Sequence, residues 1–274
     1  MPSVMRLALI IALTALAQPA CADGLRRLET GTDSKGWEAV GRLNLGGKGF
    51  CTGALISPNL VLTAAHCLWD RKTGERLDAS AIEFLAGWRN GRAAAYRNVR
   101  RAVAHPDYVY DGSESMERVQ YDLALLELDT PIRLPSIRPY ATGGHPQKGD
   151  AVGVVSYARD RAEAPSLQEV CHVLGHQPGV MVLSCDVDFG SSGAPVFSMT
   201  GGAPQVVSVV AAKAEMTGQK VALGSDMTGT LETLRAALET TPAMRLNGSA
   251  LPQIGAGGGA RKDGAKFLRP AAAP

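Results

Sequence analysis

The strongest constraint on the fold is a long succession of short apolar runs, rich in Val, Leu and Ala and separated by Gly, Pro, Asn and Asp turn signals. Runs of this length with such punctuation read as strands. A first set comprises Glu38–Leu43, Phe50–Ile56, Leu60–Ala64, Ile82–Ala86, Val99–Ala104 and Leu123–Leu128. A second comprises Ala151–Tyr157, Glu169–Leu174, Val180–Cys185, Pro195–Phe197, Gln205–Ala212 and Val221–Leu223. Between the sets, Thr130–Asp150 holds four prolines and a Gly-Gly pair, the composition of a connection between two bodies. Two six-stranded halves follow. Near the end, Leu231, Leu234 and Leu238 share one helical face, so a helix is expected over Leu231–Leu238, packed on the second half.

Both ends of the chain read differently from its middle. Arg6 precedes an apolar stretch, Leu7–Ala17, and the small residues Ala20-Cys21-Ala22 precede Asp23, so residues 1–22 read as a cleaved signal peptide. The stretch is too short to span a bilayer. An uncleaved anchor and a lipoprotein attached through Cys21 are the alternatives, although Gln18 stands where a lipobox takes a leucine-like residue. Export implies a secreted or periplasmic protein. Residues 23–36 form an N-terminal segment, 37–134 the first half, 135–150 the linker and 151–241 the second half with its helix. From residue 242 to 274 the chain is mostly Gly, Ala and Pro with a few basic residues, too poor in apolar surface to order, and a disordered tail is expected. Asn247-Gly248-Ser249 there fits the glycosylation triplet.

At 45% hydrophobic and 20% charged residues with a formal net charge of +2, the chain can bury a core and carries no bias toward nucleic acid or an anionic surface. Loss of Cys21 with the signal would leave Cys51, Cys67, Cys171 and Cys185, an even set suited to an oxidising compartment. Three pairings are possible. Nearest-neighbour pairing gives one bridge per half, each worth about 3 kcal/mol in the chain-entropy model. The absence of a Cys-x-x-Cys pair speaks against zinc.

Three segments carry chemistry. Leu62-Thr63-Ala64-Ala65-His66-Cys67 ends a strand with a histidine beside a cysteine, so a bridge from Cys67 to Cys51 would make His66 a positioned base. Tyr121-Asp122-Leu123-Ala124-Leu125-Leu126 sets an acid at the mouth of an apolar strand, where burial demands a partner such as an imidazole. In Asp188-Phe189-Gly190-Ser191-Ser192-Gly193-Ala194-Pro195, glycines flanking the serines permit a tight turn that exposes a hydroxyl and converges amides on one point.

In that order, these segments resemble the three signature blocks of chymotrypsin-like serine peptidases, whose triad follows the chain order His, Asp, Ser. Phe50-Cys51-Thr52-Gly53-Ala54-Leu55-Ile56 and Ala104-His105-Pro106-Asp107-Tyr108 resemble further family segments, and the resemblance covers roughly Trp37–Leu238. It implies an all-β fold of two six-stranded antiparallel barrels with a C-terminal helix. It also implies an endopeptidase acting on polypeptides, with no metal or organic cofactor, and the chain is expected to be a monomer. Ser192 would be the nucleophile, His66 the general base and Asp122 the carboxylate fixing its tautomer, with the N–H groups of Gly190 and Ser192 as oxyanion hole. Ser208, Val209 and Val210 would pair with an extended substrate. His105 is then structural, and nothing assigns chemistry to His145, His172 or His176.

Departures from the family pattern matter. Ser191 stands where mammalian trypsin-like enzymes have an aspartate, and no Ile-Val-Gly-Gly-like activation sequence precedes the first strand, so the salt-bridge switch is missing. These features resemble the bacterial trypsin-like and glutamyl endopeptidase branch. Arg26-Arg27 could be a trimming site for a short pro-segment. Asp186, six residues before Ser192, falls where trypsins place a carboxylate at the base of the primary pocket, which implies cleavage after a basic residue. Val210 near the pocket's neck opposes that, and Val207 stands where glutamyl endopeptidases place a pocket histidine. The other class of function is a catalytically inactive binding protein on the same fold. The intact triad argues against it.

Overall fold

In the computed structural model, described for residues 24–112, 115–216 and 218–242, every expected run becomes a strand. A two-residue strand, β1 (Arg26–Arg27), comes first. The first barrel follows with β2 (Val40–Leu45), β3 (Phe50–Ser57), β4 (Leu60–Thr63), β5 (Ile82–Ala86), β6 (Ala95–Ala104) and β7 (Ala124–Leu128). They close in the order β2-β3-β4-β7-β6-β5, all antiparallel. A five-residue helix, α1 (Met116–Gln120), starts on the Ser115 hydroxyl, which accepts from the Arg118 N–H and leads the chain into Asp122.

The second barrel begins after a short strand β8 (Ala141–Thr142), which adds in parallel to a later strand. Its members are β9 (Ala151–Ser156), β10 (Ser166–Gln177), β11 (Val180–Leu183), β12 (Pro195–Ser198), β13 (Gln205–Met216) and β14 (Gln219–Asp226). The path β10-β11-β14-β13-β12-β9 closes because β9 also pairs with β10. Two closed six-stranded antiparallel barrels result.

The final helix, α2 (Thr230–Thr240), corrects the sequence expectation about its docking. Leu234 and Leu238 are buried in the core shared with the first barrel, and α2 packs on β6 and β7 rather than on the second barrel. An apolar stripe shows only that a face is covered, and the spacing carried no sign of which barrel would cover it. Arg101 of β6 secures the docking by donating to the Thr241 carbonyl. Arg26 and Arg27, the expected trimming site, are part of the fold. They pair with Leu167 and Ser166, and Leu28 behind them is fully buried with its N–H on the Pro165 carbonyl, so a cut after Arg27 would strip a strand from the second barrel.

One buried acid shows how the first barrel tolerates charge. Glu127 lies on β7, every residue of which is buried, and both Arg100 and Arg101 of β6 bind its carboxylate. Consecutive strand residues normally face opposite ways, but a register shift between Val99 and Arg101 brings both guanidiniums to one side. Burial would raise the Glu127 carboxyl, and the two arginines more than offset it, holding it below the ordinary value.

Candidate active site

His66 follows β4 on a short turn of 3-10 helix, and the disulfide Cys51–Cys67 ties the adjoining residue to β3. The second bridge is Cys171–Cys185, so the nearest-neighbour pairing holds in both halves. Cys51, His66 and Cys67 lie close enough to suggest a metal site, but both sulfurs are spent in the disulfide, which leaves one imidazole as donor.

Asp122 is 1% exposed and aimed wholly at His66. Its Oδ1 accepts the His66 backbone N–H at 2.8 Å, and its Oδ2 lies 2.6 Å from His66 Nδ1. The carboxylate thus fixes both the position of the ring and the nitrogen left facing the cleft, Nε2. Behind it, the buried Ser225 hydroxyl donates to the Val119 carbonyl at the end of α1. His66 and Ser192 line two cavities in common, of about 370 and 310 Å³. The structure therefore brings His66, Asp122 and Ser192 to one place, from strand ends in one barrel and a loop in the other.

The loop around Ser192 needs its glycines for different reasons. Gly193 has φ +78°, and a Cβ there would collide with the Thr63 hydroxyl and the Thr52 carbonyl. Gly190 has φ +101°, and a Cβ there would strike the Phe50 ring. Thr52, which no local pattern singled out, joins this loop to the first barrel. Its N–H donates to the Ser192 carbonyl at 2.8 Å, its hydroxyl donates to the Gly190 carbonyl at 2.8 Å, and that hydroxyl accepts from the Tyr157 N–H at 3.1 Å. Ser191 is fully buried and internally satisfied, with its hydroxyl near Ser156 Oγ at 3.2 Å and the Tyr157 carbonyl at 3.3 Å.

The substrate-side residues need correcting. Gly193 donates to the Val210 carbonyl and Val210 to the Ala194 carbonyl, and the segment that lines the cleft beside His66 is Val210-Ala211-Ala212-Lys213. Ser208 is buried away from the cleft with its hydroxyl on the Ser225 carbonyl, and neither it nor Val209 lines a cavity with Ser192. The expected segment began two residues too early, and of its three residues Val210 lines the cleft. Asp186 is exposed, and it lines a third cavity of about 750 Å³ that contains neither His66 nor Ser192. Between the two cavities lies the ion pair Lys213–Asp188 at 2.7 Å, which holds the Asp188 carboxyl below its ordinary value. Val207 is buried in the second-barrel core, not in the cleft.

Fold and site together define a class, and the comparisons agree with it. The Trypsin family profile matches residues 30–225, and the chain belongs to the trypsin family of serine proteases. It is similar to coagulation factor IX of Cavia porcellus, 31% identical over 120 residues, which cover 42% of this chain and 38% of that protein. It is also similar to serine protease 56 of Homo sapiens, 31% identical over 140 residues, which cover 48% of this chain and 22% of that one. The matched regions thus span well under half of either relative. Among solved structures, a Glu endopeptidase in complex with MPD superposes with a TM-score of 0.65 at 19% identity, over 79% of this chain and 97% of that one. At that identity the likeness speaks for the fold alone.

Proposed function

We propose that the protein is an exported serine endopeptidase that hydrolyses polypeptides through an acyl-enzyme on Ser192. The observation that carries this reading is the Asp122 carboxylate 2.6 Å from His66 Nδ1, on a ring that shares both cleft cavities with Ser192. His66 Nε2 takes the Ser192 proton as the hydroxyl attacks the carbonyl carbon, and returns it to the leaving amine. Asp122 stabilises the imidazolium, and the N–H groups of Gly190 and Ser192 receive the oxyanion. Ser191 supports a cleft ordered without a buried N-terminal ammonium, since its hydroxyl finds neutral partners inside the protein. Two disulfides support export to an oxidising compartment. The signal-peptide and tail expectations lie outside the described residues, and among the described residues no helix is long and apolar enough to cross a membrane.

Cleavage after a basic residue loses its support, because Asp186 does not reach the cavity of Ser192 and Asp188 is already paired with Lys213. A fluorophosphonate probe tests the reading directly. It should label the wild-type chain and leave Ser192→Ala unlabelled. Absence of labelling and of peptide cleavage in well-folded wild type would favour the inactive binding protein instead.

A further inference from the structure

The cleft is far more basic than the chain as a whole. Its two cavities are lined by Lys48, Arg71, Lys72, Arg118, Arg159 and Lys213, against only two carboxylates besides the triad acid, Asp70 and Asp188. Those two are taken. Asp70 pairs with Lys48 at 2.6 Å and Asp188 with Lys213 at 2.7 Å. Among the described residues, Arg71, Lys72 and Arg159 have no carboxylate within ion-pair distance, whereas the formal net charge of the whole chain is only +2.

These unpaired cations are organised. Phe189, 40% exposed and next to Gly190, carries Arg159 at 4.9 Å and Arg71 at 5.4 Å from its ring centroid. The Arg159 backbone N–H also donates to the Phe189 carbonyl at 2.7 Å, so the backbones that carry guanidinium and ring are tied to each other at one corner. A guanidinium laid over a ring keeps its N–H edge for a carboxylate, and the stacking limits the entropy lost when one binds. The position gives the corner its meaning. Val210–Lys213 lines the cavity where the acyl side of an extended substrate would pair, while Lys72 and Arg159 line the other, beside Gly190 and the Cys51–Cys67 bridge, and Arg71 borders both.

We infer that this second cavity is an anion subsite, in which Arg71 and Arg159 bind an Asp or Glu side chain just after the scissile bond, so that the substrates are acidic polypeptide segments. The inference rests on the endopeptidase reading for its direction along the substrate, and on the unpaired arginines for its charge. Charge-assisted bonds to a carboxylate in a half-open cleft are worth about a tenfold preference over the neutral amide.

The test uses Ser192→Ala, which binds without turnover, and a fluorescent octapeptide series with a single Glu or Gln at each position, read by anisotropy. One or two adjacent positions should favour Glu about tenfold, and Arg71→Gln/Arg159→Gln should erase that ratio. The two single variants, each on an exposed side chain, give the same reading if the double variant unfolds. In wild-type digests of the same peptides, the favoured Glu should lie directly after the cut bond. Equal binding of Glu and Gln peptides, a preference that survives both arginine changes, or one lying before the bond would overturn the subsite. Failure of the endopeptidase reading looks different: no probe labelling and no cut peptides, with the binding ratio still deciding whether the anion site exists.

Discussion

The two barrels hold their share of the site by different means. In the first, a continuous core runs from Leu43 through Leu126 and on into Val155, Phe197 and Val209 of the second, and His66 and Asp122 project from the ends of strands that this core and the Cys51–Cys67 bridge immobilise. The second adds two smaller clusters of its own, around Val152 and Leu183 and around Val180 and Leu223. Ser192 there sits on a loop whose neighbours Asp186, Asp188 and Phe189 are exposed. That loop takes its shape from hydrogen bonds to Thr52 of the opposite barrel. Packing thus positions His66, and polar contacts across the interface position Ser192.

The comparison breaks first if the halves do not act as one unit. Ser192→Ala and His66→Ala should each lower kcat by about 10⁶-fold and Asp122→Asn by about 10⁴-fold, with unfolding curves near wild type. Steady-state peptide hydrolysis checks this, and near-normal turnover by any of the three would end the shared-triad reading. The interface itself is sharpened by Thr52→Val, which is close to isosteric. It leaves the Gly190 carbonyl without its donor and the Tyr157 N–H without its acceptor. We expect kcat to fall about 10²-fold with KM little changed, as for a misplaced oxyanion donor. A purely structural role would lower stability and leave kcat of the folded fraction intact.

The disulfides set the barrels side by side. Their sequence separations are 16 and 14, so removing either pair as Cys→Ser should cost about 3 kcal/mol in chemical denaturation. Only loss of Cys51–Cys67 should also depress kcat, because it adjoins His66. Glu127→Gln probes charge in the rigid barrel and should cost about 2 kcal/mol at pH 7, discounted for the partial exposure of Arg100. Since the folded carboxyl lies below its ordinary 4.5, the wild-type advantage is complete above that value and is lost as pH falls through the folded one. Denaturant midpoints from pH 7 to pH 3 would show the two proteins converging in acid. The smallest effect is expected at Asp186→Ser, which should change the preference before the cut bond by less than about twofold, since a carboxylate outside the cavity is screened by water. A large loss of basic preference in a library digest would restore Asp186 to the pocket.

The same contrast separates what the residues disclosed from what they withheld. All twelve barrel strands were legible, because short apolar runs with Gly, Pro and Asn punctuation have few other readings. The two-residue strands β1 and β8 and the five-residue α1 carry too little periodicity to be seen. The cleft segment was misplaced because Val206-Val207-Ser208-Val209-Val210-Ala211-Ala212 has no alternation to set its register, which is fixed instead by the bonds joining Val210 to Gly193 and Ala194. Asp186 failed for a related reason. Counting back from Ser192 assumes that β13 and β14 part to form a deep pocket, yet they stay paired as far as Met216 and Gln219. Thr52 had no local signature, since its three bonds reach residues 105 to 140 positions away.

That long reach has a consequence, on the endopeptidase reading, for how the chain is made. A ribosome delivers the first barrel, with its imidazole and carboxylate, long before the loop of Ser192 exists, and the loop then waits for Thr52 to hold its carbonyls. With Ser192 as the proposed nucleophile, hydrolytic competence arrives in one step, when the two halves dock, and a chain interrupted at any earlier point carries no blade. On that reading, danger to the cell that builds it is timed by topology.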